Sequence, residues 1–268
     1  MIVGYNNGSR GVGIRSHQLI LPSVVCSTHL AKKVAEHVGA ITFAHQHGCG
    51  IIGPDVAGVN DFFVALASHP NVQSTLVLGL GCETLQGNEV TANIRANHPE
   101  TQYVVIQESA GMAGALDESA ATARDLKKDV TRKELSHLTI GIEGFPSIEQ
   151  QRSISELLTS SGHQVILAQK FKEPSRNFAE LIRARCHLIL SFPDGNQPPT
   201  GLPLIPVITI ANGQSPLHQA LIGDFDFPAT VTATEVLAKI EVVANGEKSK
   251  AEVKKIGEIV VPRMVRSV

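Results

Sequence analysis

Two imidazoles and a thiol fall within five positions in Phe43-Ala44-His45-Gln46-His47-Gly48-Cys49-Gly50. Nitrogen and sulfur donors of this kind suit borderline transition metals. Gly48 and Gly50 let the backbone turn sharply enough for the side chains to converge. Taken alone, the same pattern reads equally well as a surface turn with two solvated histidines and a buried cysteine. A second stretch, Leu78-Gly79-Leu80-Gly81-Cys82-Glu83, sets a thiol beside a carboxylate at a glycine-rich tip. Glycines at that spacing are no phosphate fingerprint by themselves. Cys26 supplies a third thiol and Cys186 a fourth. Four spread cysteines are too few for a disulfide scaffold, which leaves buried fillers, metal ligands or reactive thiols. Arg10 and Arg15, in Ser9-Arg10-Gly11-Val12-Gly13-Ile14-Arg15-Ser16, offer planar forks that can clamp a carboxylate, or else solvated charges on an N-terminal arm. The remaining histidines show no ligand spacing and read as surface or core residues.

These side chains must be positioned by something regular. Apolar runs of strand length fall at 19–25, 40–44, 74–79, 102–107, 138–143, 164–168, 187–192 and 207–211. Several are nearly unbroken Val/Ile/Leu, as in a parallel sheet covered on both faces. Amphipathic stretches at 28–38, 56–68, 88–97, 113–132, 148–161, 175–185 and 232–245 read as helices, with stop signals at Asn97, Ser161-Gly162 and Asn245-Gly246. The alternation predicts an α/β fold with mostly parallel sheets and helices on both faces. Eight strands also fit a closed barrel of ~250 residues. Two Rossmann-like sub-domains are the preferred arrangement, 1–137 and 138–268, divided at the charged stretch 124–137. The segment 193–206 is a Pro/Gly-rich loop. Cys26, Cys49 and Cys82 then sit at the ends of three different strands, where open α/β sheets bind ligands. Cys186 only precedes a strand. A filler cysteine belongs mid-strand or on a buried helix face, so the coincidence favours a site.

Composition narrows the function classes. Hydrophobic residues make up 43% of the 268 and charged residues 18%, ordinary for a globular protein. A net charge of −2 lacks the basic excess of a nucleic-acid surface. Tryptophan is absent and aromatics are 4%, which argues against stacking platforms for single strands. No apolar run reaches the roughly 20 residues of a membrane helix. The start MIVGYNNGSRG has no signal-peptide core, so a cytoplasmic location is expected.

Three motifs in order carry a resemblance. GYNNGSRGVGIRSHQLILPSVVCSTHLA, then HQHGCG, then HPNVQSTLVLGLGCE are similar to the second domain of the altronate and galactarate dehydratases, to which sulfolactate sulfo-lyase large subunits are related. The later segments RCHLILSFPDGN, PLIPVITIANGQ, GDFDF and EVLAKIEVVANGEKSK resemble the same family's C-terminal part. The resemblance implies a hydro-lyase that removes the proton α to a sugar-acid carboxylate and then the β-hydroxyl, with iron(II) as the usual divalent transition metal. It carries Cys26, His45, His47, Cys49 and Cys82 over as metal candidates. His45, His47, Glu83 and Glu143 become catalytic candidates, and Arg10 and Arg15 substrate-binding ones. A homo-oligomer and a separate small subunit are expected partners.

Three departures accompany it. The family's small N-terminal domain has no counterpart here. Ser109-Ala110-Gly111 stands where the family favours paired glycines, and Gly141-Ile142-Glu143-Gly144-Phe145-Pro146-Ser147 replaces a Glu-Cys-Gly-Gly-Ser-Asp type motif. These leave two further readings open. One is a non-catalytic relative serving as a binding or regulatory subunit. The other is an iron–sulfur cluster on Cys26, Cys49 and Cys82, although typical clusters use four cysteines.

Overall fold

Leu19-Ile20-Leu21 and Leu76-Val77-Leu78 put apolar side chains on both sides of a strand, so both sides must be covered. All of them are fully buried. The computed structural model describes residues 1–169, 171 and 173–263. In chain order the elements begin β1 (Ile2–Asn6), β2 (Val12–Gly13), β3 (His17–Pro22), α1 (Thr28–Val38), α2 (Pro54–Ala67), β4 (Val72–Gly79), α3 (Gly87–Arg95) and β5 (Thr101–Val105). They continue α4 (Gly111–Leu126), β6 (Arg132–Leu135), β7 (Thr139–Gly144), α5 (Ile148–Ser160), β8 (Gln164–Leu167), α6 (Pro174–Arg183) and β9 (Leu188–Phe192). The last are β10 (Val207–Thr209), α7 (Pro216–Ala220), α8 (Ala233–Ala244) and α9 (Lys250–Lys254). Two compact units result. The first is Asn6–Thr131 with the chain from Ile259 onward, and the second is Met1–Tyr5 with Arg132–Glu258.

In the first unit β3, β4 and β5 form a parallel sheet in that order. Ile41 adds an isolated parallel bridge to Leu19, on the other edge of β3. The chain therefore leaves β3 to one side and returns on the other as β4. Such a reversal opens a crevice at the strands' carboxyl ends. Helices α1 and α4 pack together over one face, closing Leu30, Val34, Ala115 and Ala123 over Ile20, Leu76, Leu78 and Val104. Leu19, Leu21 and Val77 alternate with these and face the other way. On that side α2 and α3 pack on each other and on β4. Gly39, left-handed at φ 68°, ends α1 and donates its N–H to Ala35, the usual glycine stop.

The second unit repeats the plan with parallel strands in the order β10-β9-β7-β8. Its reversal lies between β7 and β9. Gly144 at the end of β7 has φ +88°, and a Cβ there would stand 2.1 Å from the Phe192 carbonyl oxygen, so no other residue fits that exit. Strand β1 pairs antiparallel with β6.

The α/β class with parallel sheets is as expected, whereas the barrel alternative is not, since both parallel sheets are open. Expected strand 40–44 shrinks to the single bridge at Ile41. Where a ladder would continue, the Thr42 hydroxyl donates to the Ile20 carbonyl instead (2.8 Å). The β1–β6 pairing goes with a division at Thr131/Arg132, where Met1–Tyr5 and all of β6 fall in one unit. Among the described residues no helix is long and apolar enough to cross a membrane.

Candidate functional site

The reversal point of the first unit gathers three loops. Cys26 lies in a 3-10 turn, Val25–Ser27, just beyond β3. His45, His47 and Cys49 lie in the extended segment after the Ile41 bridge, and Cys82 and Glu83 follow β4. Backbone bonds stitch the loops together. Val25 N–H donates to the His47 carbonyl (2.9 Å), Thr84 N–H to the Cys49 carbonyl (3.2 Å) and Ser23 N–H to the Leu78 carbonyl (3.0 Å). Thr28 Oγ1 accepts from His45 N–H (3.1 Å). Cys26 and Cys82 are exposed, Cys49 is partly so, and all are free thiols. The Cys49 thiol interacts with both the Cys82 and the Cys26 thiols. Burial first, then these neighbours, push its pKa up.

The two histidines take the same tautomer, with the proton on Nε2. His45 is 1% exposed, its ring set against Phe43 and Phe63 with centroids 6.4 and 5.7 Å away. Its Nδ1 accepts from His47 N–H (3.0 Å), so the proton of the neutral ring sits on Nε2, and that buried atom has no hydrogen-bond partner. Burial, then His47, lower the His45 pKa to about 4. His47 Nε2 faces the Val261 carbonyl at 2.9 Å. A carbonyl only accepts, so this nitrogen carries the proton and Nδ1 keeps its lone pair. Gln46 holds the same returning segment, accepting from Val261 N–H (3.0 Å) and donating to the Ile259 carbonyl (3.1 Å). Arg263 adds an ion pair to buried Asp55 (3.0 Å).

Other candidates are occupied elsewhere. Arg10, expected to clamp a substrate carboxylate, is fully buried and donates to the carbonyls of Ala67 (2.5 Å) and Gln73 (3.1 Å). A buried guanidinium must be paired internally, and these carbonyls meet that need. Arg15 is also buried, and one of its terminal nitrogens donates to the Ile14 carbonyl (2.9 Å). Glu83, expected as a proton-transfer group, is 2% exposed. Its Oε1 accepts from Ser23 Oγ (2.8 Å) and its Oε2 from Gly81 N–H (2.7 Å), so the carboxylate acts as the brace of its own loop. Nearby Tyr103 is pushed up to about 12 by burial, Glu83 and Glu108. Glu143 belongs to the second unit, at the end of β7 beside the reversal. Its carboxylate accepts from Ser191 Oγ and from Asn177 Nδ2 (3.1 Å), and burial pushes its pKa up.

Among the described residues no group of three or more His, Cys, Asp or Glu side chains is arranged to hold one ion. Sequence reasoning also missed a cavity of about 670 Å³ in the second unit, at the carboxyl ends of β7, β9 and β10. Phe145, Phe192, Asn212 and Gln214 line it, with the helix caps Ser147 and Thr232. Ser-x-x-Gln and Thr-x-x-Glu are the sequence signals of such caps, but nothing in the sequence shows that the two share a wall.

An α/β unit with its polar loops gathered at a strand reversal has the layout in which open α/β sheets bind ligands. Residues 4–131 match the family described as D-galactarate dehydratase/Altronate hydrolase, second domain. Through this segment the chain is similar to the altronate/galactarate dehydratases. The altronate dehydratase of Bacillus subtilis (strain 168) is 26% identical, over 62% of this chain and 38% of that protein. The altronate dehydratase of Escherichia coli (strain K12) is 27% identical, over 38% of this chain and 23% of that protein. The chain thus spans well under half the length of these curated relatives. No solved structure matches.

Proposed function

We propose that the chain catalyses dehydration of a hydroxylated carboxylic acid, sugar acids being the substrate class, with iron at the loop-bearing edge of the first unit. The observation that carries this reading is the gathering of Cys26, His45, His47, Cys49 and Cys82 at one strand reversal, inside the segment shared with the dehydratase family. Dehydration removes a proton α to the carboxylate and expels the β-hydroxyl. The first step needs a base, and the charge it creates needs a donor. His47 Nδ1, its lone pair fixed by the bond to Val261, is the base. His45 is held neutral, and its unpaired Nε2–H is the donor for developing negative charge, as a neutral imidazole can be in other enzymes.

The test is anaerobic turnover of an aldonic and aldaric acid panel, read as 2-keto-3-deoxy product. His47→Ala should lower kcat by about 10²–10⁴ in a folded protein. Absence of product with every acid, whether iron is supplied as iron(II) or as a cluster, would overturn the reading. A second reading, a non-catalytic binding subunit, is favoured by one observation: Arg10 and Glu83, two of the family-derived candidates, are consumed by internal bonds. Sugar-acid binding detected by thermal shift, with no turnover, would select it.

A further inference from the structure

The resemblance calls for one iron(II) ion, yet no set of donors among the described residues is arranged around a single ion. What the first unit does assemble is three thiols from three loops. Cys26 comes from the exit of β3, Cys49 from the segment beyond Ile41 and Cys82 from the exit of β4. Their loops are tied by the Val25–His47 and Thr84–Cys49 backbone bonds, and the Cys49 thiol interacts with both others. Gly48 and Gly50 flank Cys49, and a Cβ on either would meet nothing within 4 Å. The neighbourhood of the middle thiol is therefore open.

We propose that Cys26, Cys49 and Cys82 together hold an iron–sulfur cluster of the four-iron type, with one iron left without a cysteine ligand. Three soft thiolates spread over neighbouring loops suit a multi-iron core, which separates its ligands more widely than one ion does. Cys186, the fourth cysteine, is wholly buried in the second unit. The iron without a cysteine is open to an exogenous oxygen ligand. Binding replaces three thiol protons by iron. The core's ferrous and ferric irons and its inorganic sulfides are supplied from outside, so the protein itself undergoes no net oxidation. The inference stands whether or not the chain proves to be a dehydratase.

The experiment is anaerobic reconstitution of the full chain with mixed ferrous and ferric iron, sulfide and a thiol reductant. The expected result is a brown protein with broad visible absorbance and about four irons and four sulfides per chain. Cys26→Ser, Cys49→Ser and Cys82→Ser should each lose the colour and most of the sulfide while keeping the far-ultraviolet circular dichroism of the parent. Cys186→Ser should keep the colour. Iron taken up without sulfide, zinc in its place, a disulfide between two of the three thiols under the same conditions, or colour that survives loss of any one of them, would each overturn the proposal. A cluster present without sugar-acid turnover leaves this inference standing and sinks the dehydratase reading. Turnover by the iron(II)-loaded, sulfide-free protein does the reverse.

Discussion

The Arg10 guanidinium lies 3.5 Å from the Glu100 carboxylate, with the arginine side chain withdrawn entirely from water. Its Nε and one terminal nitrogen bond the end of α2 and the strand β4, through Ala67 and Gln73, and the other terminal nitrogen reaches Thr101 of β5 (3.4 Å). Burial lowers its pKa to about 10, Glu100 offsetting part of the loss, so it remains charged near neutrality. Arg10→Met should therefore destabilise the protein by about 3–5 kcal/mol, the range for breaking a buried charge pair, measured as a fall in the urea midpoint at constant slope. A substrate clamp would instead leave that midpoint alone and raise KM.

Glu83 braces the loop that carries Cys82. Removing its carboxylate strands Ser23 Oγ–H and Gly81 N–H. Glu83→Ala should cost roughly 2–4 kcal/mol, given about 1.5–3 for each bond to a charged group and partial rescue by water. It should also slow iron and sulfide uptake, because Cys82 is next to it in the chain. Glu83→Gln keeps one acceptor and should fall between Ala and the parent in both measurements. Equal behaviour of Gln and Ala would remove the bracing role.

Acid should weaken the fold through His45. The unfolded chain binds a proton near pH 6.5, whereas the folded ring resists it until about 4. Folded-state pKa is depressed, so stability is full above about 6.5 and falls as pH drops through this window, by up to about 3 kcal/mol from this group. Denaturation of the parent and of His45→Leu at pH 7, 6, 5 and 4 checks it. The variant should show the shallower acid decline, and parallel curves would refute the assignment.

Glu143 titrates in the opposite sense. Its folded pKa is raised by burial, against the opposing bonds from Ser191 and Asn177. The folded protein holds a proton that the unfolded chain gives up near 4.3. Stability tied to the protonated form is thus present at low pH and lost as pH rises through the folded value. Glu143→Gln, which stays neutral and can still accept from Asn177, should gain on the parent from about pH 4 upward and then hold a constant lead. A lead that instead shrinks with rising pH would show that the carboxylate is needed ionised.

The elements that depend on local pattern were legible. Helix α1 was expected at 28–38 and is found there, because an apolar stripe through Leu30, Ala31, Val34 and Ala35 ends at a glycine. Placing Cys26 and Cys82 beyond β3 and β4 needed only those strands, whereas the strand expected before Cys49 is a single bridge. Elements defined by a distant partner were not legible. Arg132-Lys133-Glu134-Leu135 has no strand-like alternation and becomes β6 only by pairing with β1. Arg10 looked like a ligand clamp because nothing in its neighbourhood names Glu100 as its counter-charge. The tautomer of His47, and with it the nitrogen free for chemistry, rests on the backbone of Val261, 214 residues further along the chain. The sheet edge could be read from the sequence, but the protonation pattern upon it could not.

That last contact also fixes when the site can mature. Gln46 and His47 are anchored to Ile259 and Val261, so these two side chains lack their final partners while the whole second unit is being synthesised. At about 5–20 residues per second, a nascent chain carries Gln46 and His47 without those partners for tens of seconds after they leave the ribosome. Long-range closure of this kind is slow to form because the intervening chain must be ordered first. The His47 tautomer is therefore fixed last, and any metal or cluster loaded earlier meets cysteines beside an imidazole that has not yet taken its final tautomer.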